Sequence, residues 1–172
     1  MLPAVPDDLA QRLLSASELH GDFVLSSGKR SSIYFDKFRF LTDPALLREA
    51  AHAVTGLLPP VVTHLAAPEG AATLLVAAVA LEIGLPIAVV RKAPKQYGMR
   101  TRVEGHLPAG AQTALIEDVS TTGHQVLDAA RVLEGAGCRI RIIVLAIDRG
   151  GAEHLRGAGY EVASVAQVRP GD

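Results

Sequence analysis

From residue 61 onward, short runs rich in Val, Ile, Leu and Ala alternate with longer stretches of helical spacing. That rhythm leaves few architectures open. The apolar runs fall at 61–66, 86–90, 112–116, 139–147 and 160–166, and helices are expected at 70–84, 123–137 and 152–157. Runs that are apolar nearly throughout suit strands buried on both faces. Such strands, separated by helices, form βαβ units, which predicts an α/β fold: a mostly parallel sheet with helices on both faces. Upstream, Asp7 or Asp8 can cap a helix reaching about Leu19, with Leu9, Leu13 and Leu14 on one face. Runs at 23–26 and 32–35 suggest an extended pair across the turn-like segment 27–30. Asp43-Pro44 supplies a cap and a first-position proline for a helix ending near Pro59-Pro60.

Composition narrows the function classes. The 172 residues suit one domain with a full core, and 49% hydrophobic with 20% charged residues is an ordinary globular balance. With 17 basic against 18 acidic side chains, there is no basic excess of the kind nucleic-acid binding requires. The longest apolar-rich stretch, 70–81, is too short for a membrane span of roughly 20 residues. The first eight residues lack the basic start and apolar centre of a signal peptide, and a single cysteine, Cys138, allows no internal disulfide. A cytoplasmic protein is expected, with no nucleic-acid or membrane partner. The six histidines show no metal-ligand spacing, so no protein-held metal is expected.

In a parallel sheet, ligands sit beyond the carboxyl ends of the strands. The segment 115–123, Leu-Ile-Glu-Asp-Val-Ser-Thr-Thr-Gly, is the most informative of these ends. The expected strand stops at Ile116, and the chain becomes polar at Glu117 and Asp118. Small hydroxylated residues follow, and a helix begins at once. Backbone N–H groups, hydroxyls and the positive helix end would converge there, forming an anion site suited to a phosphate monoester. Two carboxylates beside an anion need a partner of their own, and vicinal ribose hydroxyls are suitable donors. A plain Ser/Thr helix cap would explain Thr-Thr-Gly by itself, though not the whole segment.

This stretch resembles the phosphoribosyl pyrophosphate (PRPP) signature of the type I phosphoribosyltransferases. The resemblance implies that Glu117 and Asp118 hold the ribose hydroxyls. Val119, Ser120, Thr121, Thr122, Gly123, His124 and Gln125 would enclose the 5-phosphate. Three further segments are similar to the orotate phosphoribosyltransferases within that family. The stretch 23–36 looks like their N-terminal strand pair, whose adjacent aromatics, here Tyr34 and Phe35, flank the pyrimidine. Alternatively, either aromatic could simply pack into the core. The run 90–98 with Arg100 and Arg102 places five cations within twelve residues, although the chain as a whole has no basic bias. It resembles the family's mobile lid over the pyrophosphate, with Arg91, Lys92 and Lys95 matching its cations and Lys95 in the catalytic role. Asp148-Arg149 matches a pair whose arginine meets the orotate carboxylate, with Thr121 adding a contact to the base. The guanidinium fork suits a planar anion.

The resemblance covers about residues 22–165. It implies one domain with residues 1–40 as an N-terminal hood and 41–172 as the PRPP-binding core. It also implies Mg2+ carried by PRPP and a homodimer whose lids reach across the subunits. Four departures stand out. Glu69 brings a negative charge to the loop expected to meet pyrophosphate, Tyr97 stands where a histidine is common, and Ser26 where some members have lysine. The Gly150-Gly151 turn is also short. Two alternatives to orotate transfer therefore stay open: a catalytically weakened PRPP-binding regulator, or transfer to another base.

Overall fold

The computed structural model describes residues 7–24, 28, 30–94 and 101–168. Helix α1 (Asp7–Ser17) leads into the hairpin β1 (Glu18–Val24) and β2 (Arg30–Phe35), and a short helix α2 (Phe38–Leu41) precedes α3 (Pro44–Gly56). There follow β3 (His64–Pro68), α4 (Ala72–Ile83), β4 (Ile87–Val90), β5 (Val103–Gly105) and β6 (Gln112–Ser120). The chain continues as α5 (His124–Gly135), β7 (Arg139–Asp148), α6 (Gly151–Gly157) and β8 (Val162–Gln167). A six-stranded sheet has the order β5-β4-β3-β6-β7-β8; β5 runs antiparallel to β4 and the other pairings are parallel. The expected α/β architecture is what the chain adopts.

The apolar runs are buried on both sides, as their continuity predicts. On one face Leu9, Leu13, Phe40, Leu41, Val54 and Leu75 pack against Leu65, Ile116 and Val144. On the other, Val126, Leu133 and Leu155 from α5 and α6 cover Leu115, Ile143 and Leu145. At about 1.5–3 kcal/mol for each fully buried large aliphatic side chain, these two layers supply the dominant force for the fold. Helix α3 starts as its sequence requires: the Asp43 carboxylate accepts from the N–H groups of Ala45 and Leu46 at 2.9 and 3.0 Å.

Several boundaries differ from the sequence expectation. Strand β6 does not stop at Ile116 but pairs with β7 through Ser120, opposite Asp148. Glu117 and Asp118 are thus strand residues, held in register by the ladder beyond the expected strand end. Helix α1 gives way at Glu18 because Leu19 and His20 pair with Tyr34 and Ile33 in the hairpin. Helix α3 ends at Gly56, where Leu57 and Leu58 donate to the carbonyls of Val54 and Thr55. Strand β3 begins only at His64, because Val62 closes a turn onto the carbonyl of Pro59 at 3.1 Å. Two elements, α2 and β5, have no counterpart in the pattern; at four and three residues they are shorter than any periodicity can signal. The parallel strands β3, β4, β6 and β7 end along one edge at Pro68, Val90, Ser120 and Asp148, and the candidate site lies there.

Candidate active site

At the end of β6 the two carboxylates are deeply buried: Glu117 is 4% exposed and Asp118 0%. Glu117 Oε1 accepts from the Asp118 N–H at 3.1 Å, and Asp118 Oδ1 accepts from the Val119 N–H at 2.5 Å. Burial, and after it the charge of Asp118, pushes the Glu117 carboxyl up to about 8, while the Asp118 N–H and the Lys37 ammonium pull the other way. Asp118 Oδ2 and Ser120 Oγ are both buried without a hydrogen-bond partner among the described residues. Buried orphan oxygens cost free energy unless a ligand satisfies them.

The turn from β6 into α5 is shaped by glycine. Gly123 has φ +76°, and a Cβ there would lie 2.8 Å from the Gly151 carbonyl oxygen. A Cβ on Gly151 would in turn sit 2.0 Å from Ser120 Oγ and 3.0 Å from the Gly123 nitrogen. The two loops therefore touch backbone to backbone, and only glycine permits that approach. Helix α5 has no side-chain cap, in contrast to α3, so its first N–H groups are left facing the turn. Together with the hydroxyls of the exposed Thr121 and Thr122, they gather at this turn the kind of donors that an anion site uses. His124 and Gln125 are exposed on the first turn of the helix, and the His124 ring meets that of His154 edge-on at 4.7 Å.

The end of β7 brings in the Asp-Arg pair. Asp148 is not engaged with Arg149: its Oδ1 accepts from the N–H groups of Gly150 and Ala152 at 2.9 and 3.1 Å and shapes the tight turn. The Arg149 guanidinium lies over the Phe35 ring, 4.6 Å from its centroid, and the Arg149 N–H binds the Ser120 carbonyl at 2.8 Å. Phe35 and Arg149, 114 positions apart in the sequence (149 − 35), are thus brought together at the cradle. Tyr34 is 43% exposed and packs instead on Phe23, ring centroids 5.5 Å apart.

The pyrophosphate side is built differently. Gly70 adopts φ +119°, and α4 starts without a side-chain cap. Glu69, the residue expected to repel an anion, turns its carboxylate to the foot of the cationic run. Its Oε1 accepts from the Lys92 N–H at 2.8 Å, and its Oε2 lies 3.9 Å from Arg91. Arg102, at the other end of the run, donates to the Arg91 carbonyl at 2.8 Å and forms an ion pair with Asp128 on α5. Lys95 and Tyr97 lie outside the described residues, as does Ser26. Sequence reasoning missed Lys37, whose Nζ reaches Asp118 Oδ1 at 3.1 Å, and although it counted Arg102 among the cations it gave that residue neither of its partners. The one signal available for Arg102 was its place at the end of the cationic run. Among the described residues no cluster of three or more His, Cys, Asp or Glu is placed to hold a metal, and no helix is long and apolar enough to cross a membrane.

No family model matches the chain. Curated relatives do. The orotate phosphoribosyltransferase of Thermococcus gammatolerans is 40% identical over 168 residues, covering 94% of this chain and 89% of the relative. That of a Nocardioides species is 41% identical over 159 residues, covering 91% and 89%. Among solved structures, the orotate phosphoribosyltransferase of Aeropyrum pernix superposes with a TM-score of 0.80 at 31% identity, covering 93% of each chain. An adenine phosphoribosyltransferase from Thermoanaerobacter pseudethanolicus shares the fold, with a TM-score of 0.73 at 20% identity over 94% of this chain and 99% of its own. The fold by itself therefore does not select the base.

Proposed function

The chain belongs to the orotate phosphoribosyltransferase family, and from that premise we propose how its residues share the work. The reaction is that of a pentosyltransferase in pyrimidine biosynthesis: the 5-phosphoribosyl group passes from PRPP to orotate, giving orotidine 5'-phosphate and pyrophosphate. The bond from the anomeric carbon to pyrophosphate breaks, the ribose becomes oxocarbenium-like, and an orotate ring nitrogen closes the new bond as its N–H proton passes to the released pyrophosphate or to water.

The observation that carries the division of labour is the pair of orphan oxygens, Asp118 Oδ2 and Ser120 Oγ, beside the uncapped start of α5. In this reading Glu117 and Asp118 accept from the ribose hydroxyls. The 5-phosphate lies against residues Val119, Ser120, Thr121, Thr122, Gly123, His124 and Gln125, and the helix end offsets its charge. Phe35 and Tyr34 belong to the base site, with Thr121 adding a contact. Arg149 meets the orotate carboxylate, and its seat on the Phe35 ring supports this by fixing the plane of the guanidinium. Mg2+ arrives with PRPP as part of the substrate. The cationic run closes over the leaving pyrophosphate, Arg91, Lys92 and Lys95 offset its growing charge, and Tyr97 donates a hydrogen bond. Water exclusion by that closure protects the reactive ribose. The working unit is a cytoplasmic homodimer whose lids serve across the interface.

The test is direct: the protein is mixed with PRPP, Mg2+ and orotate, and loss of orotate absorbance is followed. Consumption of orotate with release of pyrophosphate is expected. Turnover with a purine base alone, or tight PRPP binding without turnover of any base, would sink this reading.

A further inference from the structure

Lys37 lies two residues beyond Phe35, the last residue of β2, and 81 positions from Asp118 (118 − 37). Its root is held on both sides. The Asp36 N–H donates to the Ser17 carbonyl at 2.8 Å, the Asp36 carboxylate accepts from the Phe38 N–H at 3.0 Å, and Phe40 and Leu41 are fixed in the core. From there the side chain, itself 39% exposed, runs inward to Asp118.

An ionised carboxylate with no exposure needs a countercharge, because desolvation costs several kcal/mol per ion when nothing repays it. Lys37 supplies that charge, and it does so on one oxygen only. Asp118 Oδ1 accepts from Lys37 and from the Val119 N–H, while Oδ2 has no partner among the described residues. The carboxylate is locked at one end and open at the other.

We propose that Lys37 is a positioning residue for PRPP: it fixes the orientation and charge of Asp118 so that Oδ2 faces a ribose hydroxyl, and it ties docking of the N-terminal hairpin to that site. The inference rests on the PRPP reading of the cradle. The charged groups acting on Glu117 are Asp118 beside it and Lys37 across from it. On the neighbouring β7, the Asp148 carboxylate is occupied by backbone N–H groups. Glu117 holds its proton up to about 8, chiefly through burial, and Lys37 is a force working against that. Removing Lys37 moves the Glu117 titration upward, so tight PRPP binding, which needs acceptor carboxylates, begins at higher pH.

The experiment titrates PRPP with Mg2+ into the wild type, Lys37→Met and Lys37→Arg from about pH 6 to pH 9, with thermal melts to confirm folding. Lys37→Met should bind PRPP roughly tenfold or more weakly, the scale of losing one charged hydrogen bond. Its affinity should also rise at higher pH than in the wild type, and Lys37→Arg should recover most of both. Lys37→Gln replaces the methionine variant should that one fail to fold. Wild-type affinity and pH profile in Lys37→Met would overturn the proposal. So would equal weakening by Met and Arg with an unshifted profile, the mark of packing alone. Because this titration contains no orotate, a wild type that binds PRPP here but does not consume orotate in the turnover assay defeats the orotate reading and leaves this one standing.

Discussion

The cradle at the end of β6 and the foot of the cationic run at the ends of β3 and β4 lie on one sheet edge, yet they are held by different forces. The cradle is made of buried strand residues and a backbone-to-backbone contact between Gly123 and Gly151. The foot of the run is made of partly exposed side-chain links: Glu69 to Lys92 and Arg91, and Arg102 to Asp128. Close packing cannot be deformed gradually, whereas exposed ion pairs exchange readily with water. Under the proposed function, the close-packed side would recognise ribose and phosphate, and the side held by exposed links would be the one that opens for pyrophosphate to leave.

The sharpest way to break this contrast is Gly151→Ala. Its methyl would displace Ser120 and the Gly123 nitrogen. Overpacking of this kind costs about 1–3 kcal/mol, and the cradle should lose PRPP binding almost entirely. Calorimetric titration checks this, and near-normal affinity would show that the cradle yields.

Next in size is the pH dependence of stability. A carboxyl whose folded pKa is raised favours folding while protonated. The contribution of Glu117 is thus complete below its ordinary value of 4.5 and is lost as pH rises towards about 8. Melting temperatures of the free protein should fall across that window, with a slope of at most about 1.4 kcal/mol per pH unit. Glu117→Gln should flatten the slope and melt higher at the alkaline end. An unchanged slope would mean the carboxylate is better solvated than its burial suggests.

Arg149→Ala should raise the KM for orotate by roughly ten- to a hundredfold, with the KM for PRPP little changed, as loss of a charged contact predicts. The smallest effect belongs to Arg102→Ala. Its ion pair should contribute at most about 1 kcal/mol to stability, but loosening both ends of the run should lower kcat several-fold while PRPP affinity holds. Stopped-flow and steady-state kinetics separate these outcomes. A stability loss without a kcat change would remove Arg102 from any role in closure.

The same two regions differ in how much the sequence discloses. Residues 115–123 read clearly because strand, carboxylates, small hydroxyls and helix are contiguous, and each has its own local signal. Even so, the expected strand ends at Ile116, four residues short of its end at Ser120. The strand character of residues 117–120 comes from β7, which no local pattern contains. The links at the foot of the run could not be read, since Arg102 and Asp128, or Glu69 and Lys92, meet only after the sheet orders its strands. Lys37 is the extreme case: its neighbours form a four-residue helix and its partner lies on another element. Glu69 looked like a repulsive charge facing a pyrophosphate, because sequence shows where a residue stands in a loop but not where its side chain turns.

The pairing of Ser120 with Asp148 has a further consequence. Neighbouring strands keep a spacing of about 4.8 Å that no side-chain change can alter. The sheet therefore works as a ruler: it sets the offset between the end of β6, proposed to read the ribose, and Arg149 after β7, proposed to meet the orotate carboxylate. Acceptance of a larger base would have to come from the hairpin that carries Phe35, because the opposite wall of the site is graduated by backbone hydrogen bonds.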